Sequence, residues 1–214
     1  VTTYQQVIDY IFGLTVSGVK LELTRVEQFT TALGQPYAAF PTIHVAGTNG
    51  KGSTAAMLAS VLEAAGLRVG LFTSPHLIRT NERIRINGTE IPNQVIMDHV
   101  TRWKPLINKY RITFFEVLTA LAFVYFKDQR VNIAVIETGL GGRLDATNVI
   151  TPLVSVITSV DLDHMNILGD TLEKIAGEKA GIIKSEVPVV LAENPAVVQQ
   201  VVRNRARERK ARYI

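Results

Sequence analysis

The residues best suited to chemistry lie together at Gly47-Thr48-Asn49-Gly50-Lys51-Gly52-Ser53, directly after the apolar run Ile43-His44-Val45-Ala46. The apolar run reads as a buried strand, and Thr54-Ala55-Ala56-Met57-Leu58-Ala59-Ser60-Val61-Leu62 reads as a helix. Strand, glycine turn, lysine, hydroxyl and helix, in that order, is the layout of a phosphate-binding loop. The glycines let the backbone approach an anion and aim its N–H groups at it, and the helix N-terminus adds partial positive charge. Lys51 would reach the outer phosphates, and Ser53 or Thr54 would sit near a bound Mg²⁺. The ligand implied is a nucleoside triphosphate.

The spacing departs from the common pattern G-x-x-x-x-G-K-[ST]. Only Thr48 and Asn49 separate Gly47 from Gly50, and Gly52 follows Lys51. On spacing alone two readings stand: a phosphate cradle, or a tight strand-to-helix turn in an α/β sheet. Further candidates lie downstream. Magnesium bound to a triphosphate needs hard oxygen ligands, few of them from protein. Glu137 supplies one at the end of the apolar run 132–137, and Ser74 offers a hydroxyl after the run 68–72. His164 follows Asp161-Leu162-Asp163. Imidazole suits softer metals, so a hydrogen-bonding histidine competes with a metal ligand there. His44, His76 and His99 carry no comparable pattern, and His99 reads as a surface or packing residue.

The elements that must position these residues follow from periodicity and punctuation. Residues 4–13 and 24–33 read as helices stopped by Gly13 and Gly34. Strand 42–46 precedes the loop, and helix 53–65 ends at Gly66. Strand 68–72 leads to Thr73-Ser74-Pro75, and residues 84–92 form a hairpin around Asn87-Gly88. A helix runs from Pro92 to about Lys109, and 113–127 is a mostly apolar, buried helix. Strands 132–137 and 153–158, helix 171–180, strand 187–191 and helix 195–207 follow. Tyr213-Ile214 begins one more strand. Apolar strands alternating with helices predict an α/β fold, a mostly parallel sheet with helices on both faces. Ligands of such sheets bind beyond the carboxyl ends of the strands. The loop 48–53, Ser74, Glu137 and His164 all fall there, so four polar elements converge on one edge.

Composition bounds the rest. The 214 residues suit one domain, and 47% hydrophobic with 20% charged residues supplies a sizeable core. No apolar run has the length of a membrane span, and the N-terminal residues show no basic start or cleavage site. A soluble, cytoplasmic protein without membrane contact is expected. The absence of cysteine excludes disulfides, thiol catalysis and Cys-ligated zinc. The net charge of +4 is local. Arg203, Arg205, Arg207, Arg209, Lys210 and Arg212 face only Glu208 in that stretch, which leaves the remainder slightly acidic. A nucleic-acid reading would rest on this tail alone. The reading preferred is the solvated face of a helix that packs through Val197, Val198, Val201 and Val202, with no nucleic-acid partner.

The string GTNGKGS resembles the loop of the folylpolyglutamate synthase and dihydrofolate synthase family, relatives of the Mur peptide ligases. Thr73-Ser74-Pro75-His76-Leu77, Asn81-Glu82-Arg83-Ile84, the run from Glu137 through Gly141-Gly142-Arg143-Leu144-Asp145-Ala146-Thr147-Asn148, Asp163-His164, and the run from Glu178-Lys179 to Lys184 follow in the family's order. They span about residue 40 to residue 184. The GGRLDATN form is similar to that of the bifunctional bacterial enzymes.

The resemblance implies a P-loop fold of the Mur ligase central-domain type. It also implies two Mg²⁺ ions, one held by Ser74 and Glu137, the second with help from His164. Lys179 falls where Mur-type ligases often carry a carbamylated lysine, an anionic oxygen ligand. The reaction implied is amide ligation. Transfer of the ATP γ-phosphoryl group to a carboxylate makes an acyl phosphate, which the amine of L-glutamate attacks with loss of phosphate. Two Mg²⁺ ions and Lys51 would offset the charge on the moving group. The acid would be dihydropteroate or the glutamyl tail of a folate.

Such an acid needs a flat, partly apolar slot. Phe114, Phe115 and Glu116 with the segment 74–85 are its candidate walls. Phe114 and Phe115 read equally as core aromatics. Arg83 and Arg85 read either as exposed strand charges or as partners of substrate carboxylates. Asp145 reads as a pterin ligand by resemblance, or as a turn or capping residue. Residues 1–214 are expected to be an ATP-binding domain with a short N-terminal helical segment, monomeric, with the family's C-terminal ligase domain outside them. Two other classes compete: a nucleotide-binding regulatory domain that makes no amide bond, and a P-loop kinase or NTPase acting on another substrate.

Overall fold

The structure, a computed structural model, describes residues 3–14 and 22–214. Residues 1 and 2, where the N-terminal sequence reading begins, and 15–21 lie outside that description. The chain opens with α1 (Tyr4–Gly13) and α2 (Thr24–Ala32), then β1 (Thr42–Ala46), α3 (Lys51–Ala64) and β2 (Val69–Phe72). A hairpin, β3 (Ile84–Ile86) and β4 (Thr89–Glu90), leads into α4 (Asn93–Tyr110), α5 (Phe114–Asp128) and β5 (Ile133–Glu137). Then come β6 (Val154–Ile157), the single turn α6 (Met165–Leu168), α7 (Leu172–Ala180), β7 (Val189–Leu191) and α8 (Ala196–Glu208).

The described strands form one seven-stranded sheet in the order β4-β3-β2-β5-β1-β6-β7. Strands β2, β5, β1, β6 and β7 are parallel, and only β3, which pairs antiparallel with both β2 and β4, runs the other way. Every residue of β1 and β5 is buried, which is why both read as largely apolar runs. Alternation then divides the side chains. Ile43, Val45, Ile133 and Val135 face α3, meeting Ala55 and Ala59. Ala134 and Ile136 face α5 and the layer built from α1, α2 and α4. Toward the β6–β7 edge, Ala46, Ile157 and Val189 pack with Ile175 of α7 and Val198 and Val202 of α8. The sheet thus carries helices on both faces, as the alternation of strands and helices predicts. Where the sequence predicts one more strand at Tyr213-Ile214, Tyr213 makes a single parallel bridge to Val189 and forms no strand of its own.

Helix α3 begins at Lys51, two residues earlier than its pattern suggests. Gly50 adopts φ +81°, a left-handed turn, so the chain enters the helix at once. Lys51 and Gly52 therefore occupy its first turn, where backbone N–H groups have no intrahelical acceptor. Among the described residues, no helix is long and apolar enough to cross a membrane.

Candidate active site

The centre of the sheet sets the site. Register pairs Val45 with both Glu137 on β5 and Val156 on β6, so the loop after Ala46 emerges between the ends of those two strands. It is tied on the β6 side. Thr48 N–H donates to Ser159 O at 2.7 Å, and Thr158 Oγ1 donates to Asn49 O at 2.7 Å. Thr48 Oγ1 donates to Asp161 O and accepts from Asp161 N–H. Gly47 is required here: a Cβ on it would collide with Thr158 Oγ1. Lys51 Nζ folds back on Thr48 O at 3.1 Å. The hydroxyl-bearing Ser53 is exposed and Thr54 half-buried, both in the first turns of α3.

Glu137 shares its face of β5 with Ile133 and Val135, so it points toward α3. A Cβ on Gly52 would lie 3.6 Å from Glu137 Oε2. Glycine after the lysine thus places the first turn of α3 directly over the carboxylate. Glu137 is 2% exposed and accepts Ser74 N–H at 3.0 Å. Burial pushes its carboxyl up, while the Ser74 N–H, Lys51 and Arg83 hold it down. A buried carboxylate that accepts Ser74 N–H and faces the first turn of α3 offers hard oxygen of the kind that fits Mg²⁺. Around His164 the fit is poorer. That residue is exposed at φ +49°, with Asp163 Oδ2 3.6 Å from its Nε2. No group of three or more histidine or carboxylate side chains able to hold a metal occurs among the described residues.

Lys179 lies on α7, almost fully buried, and its Nζ donates to Gly47 O at 2.7 Å. Burial and the nearby Lys51 lower its pKa to about 8, against the pull of Asp163.

The candidate acid-binding residues divide. Arg83 Nε donates to His76 Nδ1 at 2.8 Å, and its guanidinium lies over the Phe114 ring, 5.5 Å from the centroid. Phe114 stacks on Phe12 at 4.8 Å, and Phe12 meets His76 edge-on. Phe115 turns the other way, toward Phe72, with its ring against Gly139. Glu116 is not a wall. It is buried and caps α5, accepting from both the N–H and the hydroxyl of Thr113. Arg85 is half-buried on β3 opposite Glu90.

Asp145 takes the capping alternative. It is 4% exposed, and its Oδ2 accepts the N–H groups of Gly139 and Leu140 while Oδ1 accepts the N–H and hydroxyl of Thr147. A direct bond to a pterin would have to compete with those four donors. His99 packs on Trp103. Phe12 was not legible as a site residue, because its stacking partner Phe114 lies about a hundred residues further along the chain.

With this geometry in hand, the class is defined: the chain belongs to the Mur ligase family, whose middle-domain model matches residues 45–214. It is 46% identical to the dihydrofolate synthase/folylpolyglutamate synthase of Bacillus subtilis over 99% of this chain and 51% of that protein. It is 44% identical to the folylpolyglutamate synthase of Lacticaseibacillus casei over 87% of this chain and 45% of that protein. Among solved structures, the Thermotoga maritima folylpolyglutamate synthase superposes with TM-score 0.90 at 41% identity, over 99% of this chain and 49% of that one. A folylpolyglutamate synthase bound to AMPPCP and folate superposes with TM-score 0.91 at 41% identity, over all of this chain and 54% of that one. The chain therefore spans about half the length of the relatives it matches.

Proposed function

We propose that this chain is the ATP-binding unit of a ligase that adds L-glutamate to folate, and also to dihydropteroate, through an acyl phosphate. The observation that carries the reading is the pairing of the Gly47–Thr54 cradle with the buried Glu137 carboxylate facing Gly52. The similarity to enzymes named for both activities supports the two acids.

In this reading Gly47, Thr48, Asn49, Gly50, Gly52, Ser53 and Thr54 wrap the phosphates, and Lys51 leaves Thr48 O to meet the outer ones. Ser74 and Glu137 would hold one Mg²⁺, and His164 beside Asp163 would help hold a second. Bound Mg²⁺ would supply charge neutralisation at the phosphates. Lys179 would carry a carbamate, and its lowered pKa favours the neutral amine that captures CO₂. A carbamate resonance after feeding ¹³C-bicarbonate, lost in Lys179→Met, tests this. Arg83 would meet a substrate carboxylate. Phe115 would line the slot, and Asp145 would shape its far end by holding Gly139 and Leu140. The carboxylate of the acid attacks the γ-phosphorus, ADP leaves, and glutamate nitrogen displaces phosphate from the acyl carbon.

The protein would work in the cytoplasm as a monomer, without nucleic acid. Residues 1–214 would form the nucleotide half, and glutamate capture and closure would need a second domain. Water exclusion around an acyl phosphate depends on closure. The test is an assay of amide formation with MgATP, glutamate and dihydropteroate or tetrahydrofolate. A chain extended by the second domain should form product, whereas 1–214 alone should bind MgATP and form little. Turnover of ATP without amino acid would favour a kinase or NTPase, and binding without turnover in any form would favour a regulatory domain.

A further inference from the structure

We infer that His44 and Thr147 are positioning residues for the acid substrate, acting through Asp145 on the Gly139–Leu140 turn and the Phe115 ring against it. This rests on the ligase reading above.

The three side chains form a one-way chain of hydrogen bonds in the interior. Thr147 Oγ1 lies 2.5 Å from Asp145 Oδ1 and 2.8 Å from His44 Nε2. A hydroxyl has one proton. An ionised Asp145 can only accept it, and in that state His44 must donate from Nε2. Asp145 Oδ2 then holds two consecutive amides, Gly139 N–H at 2.9 Å and Leu140 N–H at 2.8 Å. Those amides lie two and three residues beyond Glu137. Gly139 lies close against Phe115: a Cβ there would sit 2.5 Å from that ring, so this turn and the ring pack directly on one another.

Packing alone does not call for this arrangement. His44 and Thr147 are fully buried, and His44 Nδ1 has no hydrogen-bond partner among the described residues. An apolar residue at 44 would avoid the cost of an unpaired buried nitrogen. The far side of the loop is pinned independently, by Lys184 Nζ on Asn148 O and by Asn148 on the carbonyls of Arg143 and Gly181. What the chain from His44 adds is control of the 139–140 end alone. Three residues after His44, the same strand enters the phosphate loop at Gly47. One strand therefore carries the nucleotide cradle at its tip and the tether of the acid wall just below it.

The test compares Thr147→Val with Thr147→Ser, and His44→Leu with His44→Gln, in the intact ligase. Glutamine can offer an amide N–H in place of Nε2. Two readouts are taken: KM for the pteroyl acid and for ATP, and amide hydrogen exchange at Gly139 and Leu140. Thr147→Val and His44→Leu should raise the acid KM about tenfold and leave the ATP KM within about twofold. Exchange at both amides should quicken by a similar factor, and Thr147→Ser and His44→Gln should restore most of both. Equal effects on the two KM values, or no difference between the valine and serine variants, would overturn the inference. If the unsubstituted protein ligates no glutamate, the ligase reading fails. Unchanged exchange at Gly139 and Leu140 in Thr147→Val would independently remove the tether.

Discussion

Lys179 Nζ reaches across 132 positions of sequence to donate a 2.7 Å hydrogen bond to Gly47 O, the first carbonyl of the phosphate loop. A buried side-chain N–H thus fixes where the loop leaves β1. Removing it strands a carbonyl in the interior and frees the loop's first residue. Lys179→Met keeps the length of the stem and removes the donor. We expect nucleotide affinity to fall about tenfold, from the ~1–3 kcal/mol cost of an unsatisfied buried group. Calorimetric titration with MgATP measures it, and an unchanged affinity would make the contact incidental.

Lys51 behaves differently, because its bond to Thr48 O closes the loop on itself at 3.1 Å. A half-buried side chain with so local a bond adds little to folding. Lys51→Ala should leave the melting temperature within a few degrees and weaken both nucleotide binding and phosphoryl transfer by about a hundredfold or more. Wild-type turnover in this variant would end the phosphate-loop reading.

Much of this was readable in the chain. Strands 42–46 and 133–137 are mostly apolar and wholly buried because both faces of the central sheet are covered. Their polar terminations, Gly47 and Glu137, announced the site. Other features were hidden for particular reasons. The start of α3 depends on the left-handed turn at Gly50, which sequence does not distinguish from one two residues later. Glu116 looked like a slot residue until its bond to Thr113 made it a helix cap. The His44–Thr147 bond joins residues 103 apart, and no local pattern marks a contact of that range. Lys179 had no chemical signal of its own beyond resemblance, because a lysine near a helix end is ordinarily solvated.

Glu137→Gln tests the metal-facing role without changing shape. The amide oxygen can still accept Ser74 N–H, now 3.0 Å from Oε2, so the fold should persist. The lost negative charge should raise the Mg²⁺ concentration for half-maximal activity at least about tenfold and nearly abolish ligation. His164→Ala should act in the same direction and less strongly, given its exposure. Normal rates at unchanged Mg²⁺ would make Glu137 a structural residue that only anchors the Ser74 segment.

His44 gives a prediction in pH. Burial, with a smaller push from Lys184, lowers its pKa to about 3 from an ordinary 6.5. The folded protein therefore holds a neutral imidazole while the unfolded chain takes up a proton between those values. The unfolded state binds more protons there, so stability rises with pH from about 3 to 6.5 and is lost as pH falls through that window. Asp145 works in the opposite sense, since burial raises its pKa and favours protonation in the folded state. The net acid limb mixes both, so the informative quantity is a difference. His44→Gln removes the imidazole and keeps a donor for Thr147. Its stability should fall less steeply than that of the unsubstituted protein between pH 6.5 and 3, with the two curves running parallel above pH 7. Denaturant melts at half-unit pH steps measure both curves. Parallel curves throughout the acid range would mean that His44 takes up its proton in the folded state, and that the tether begins with a charged ring.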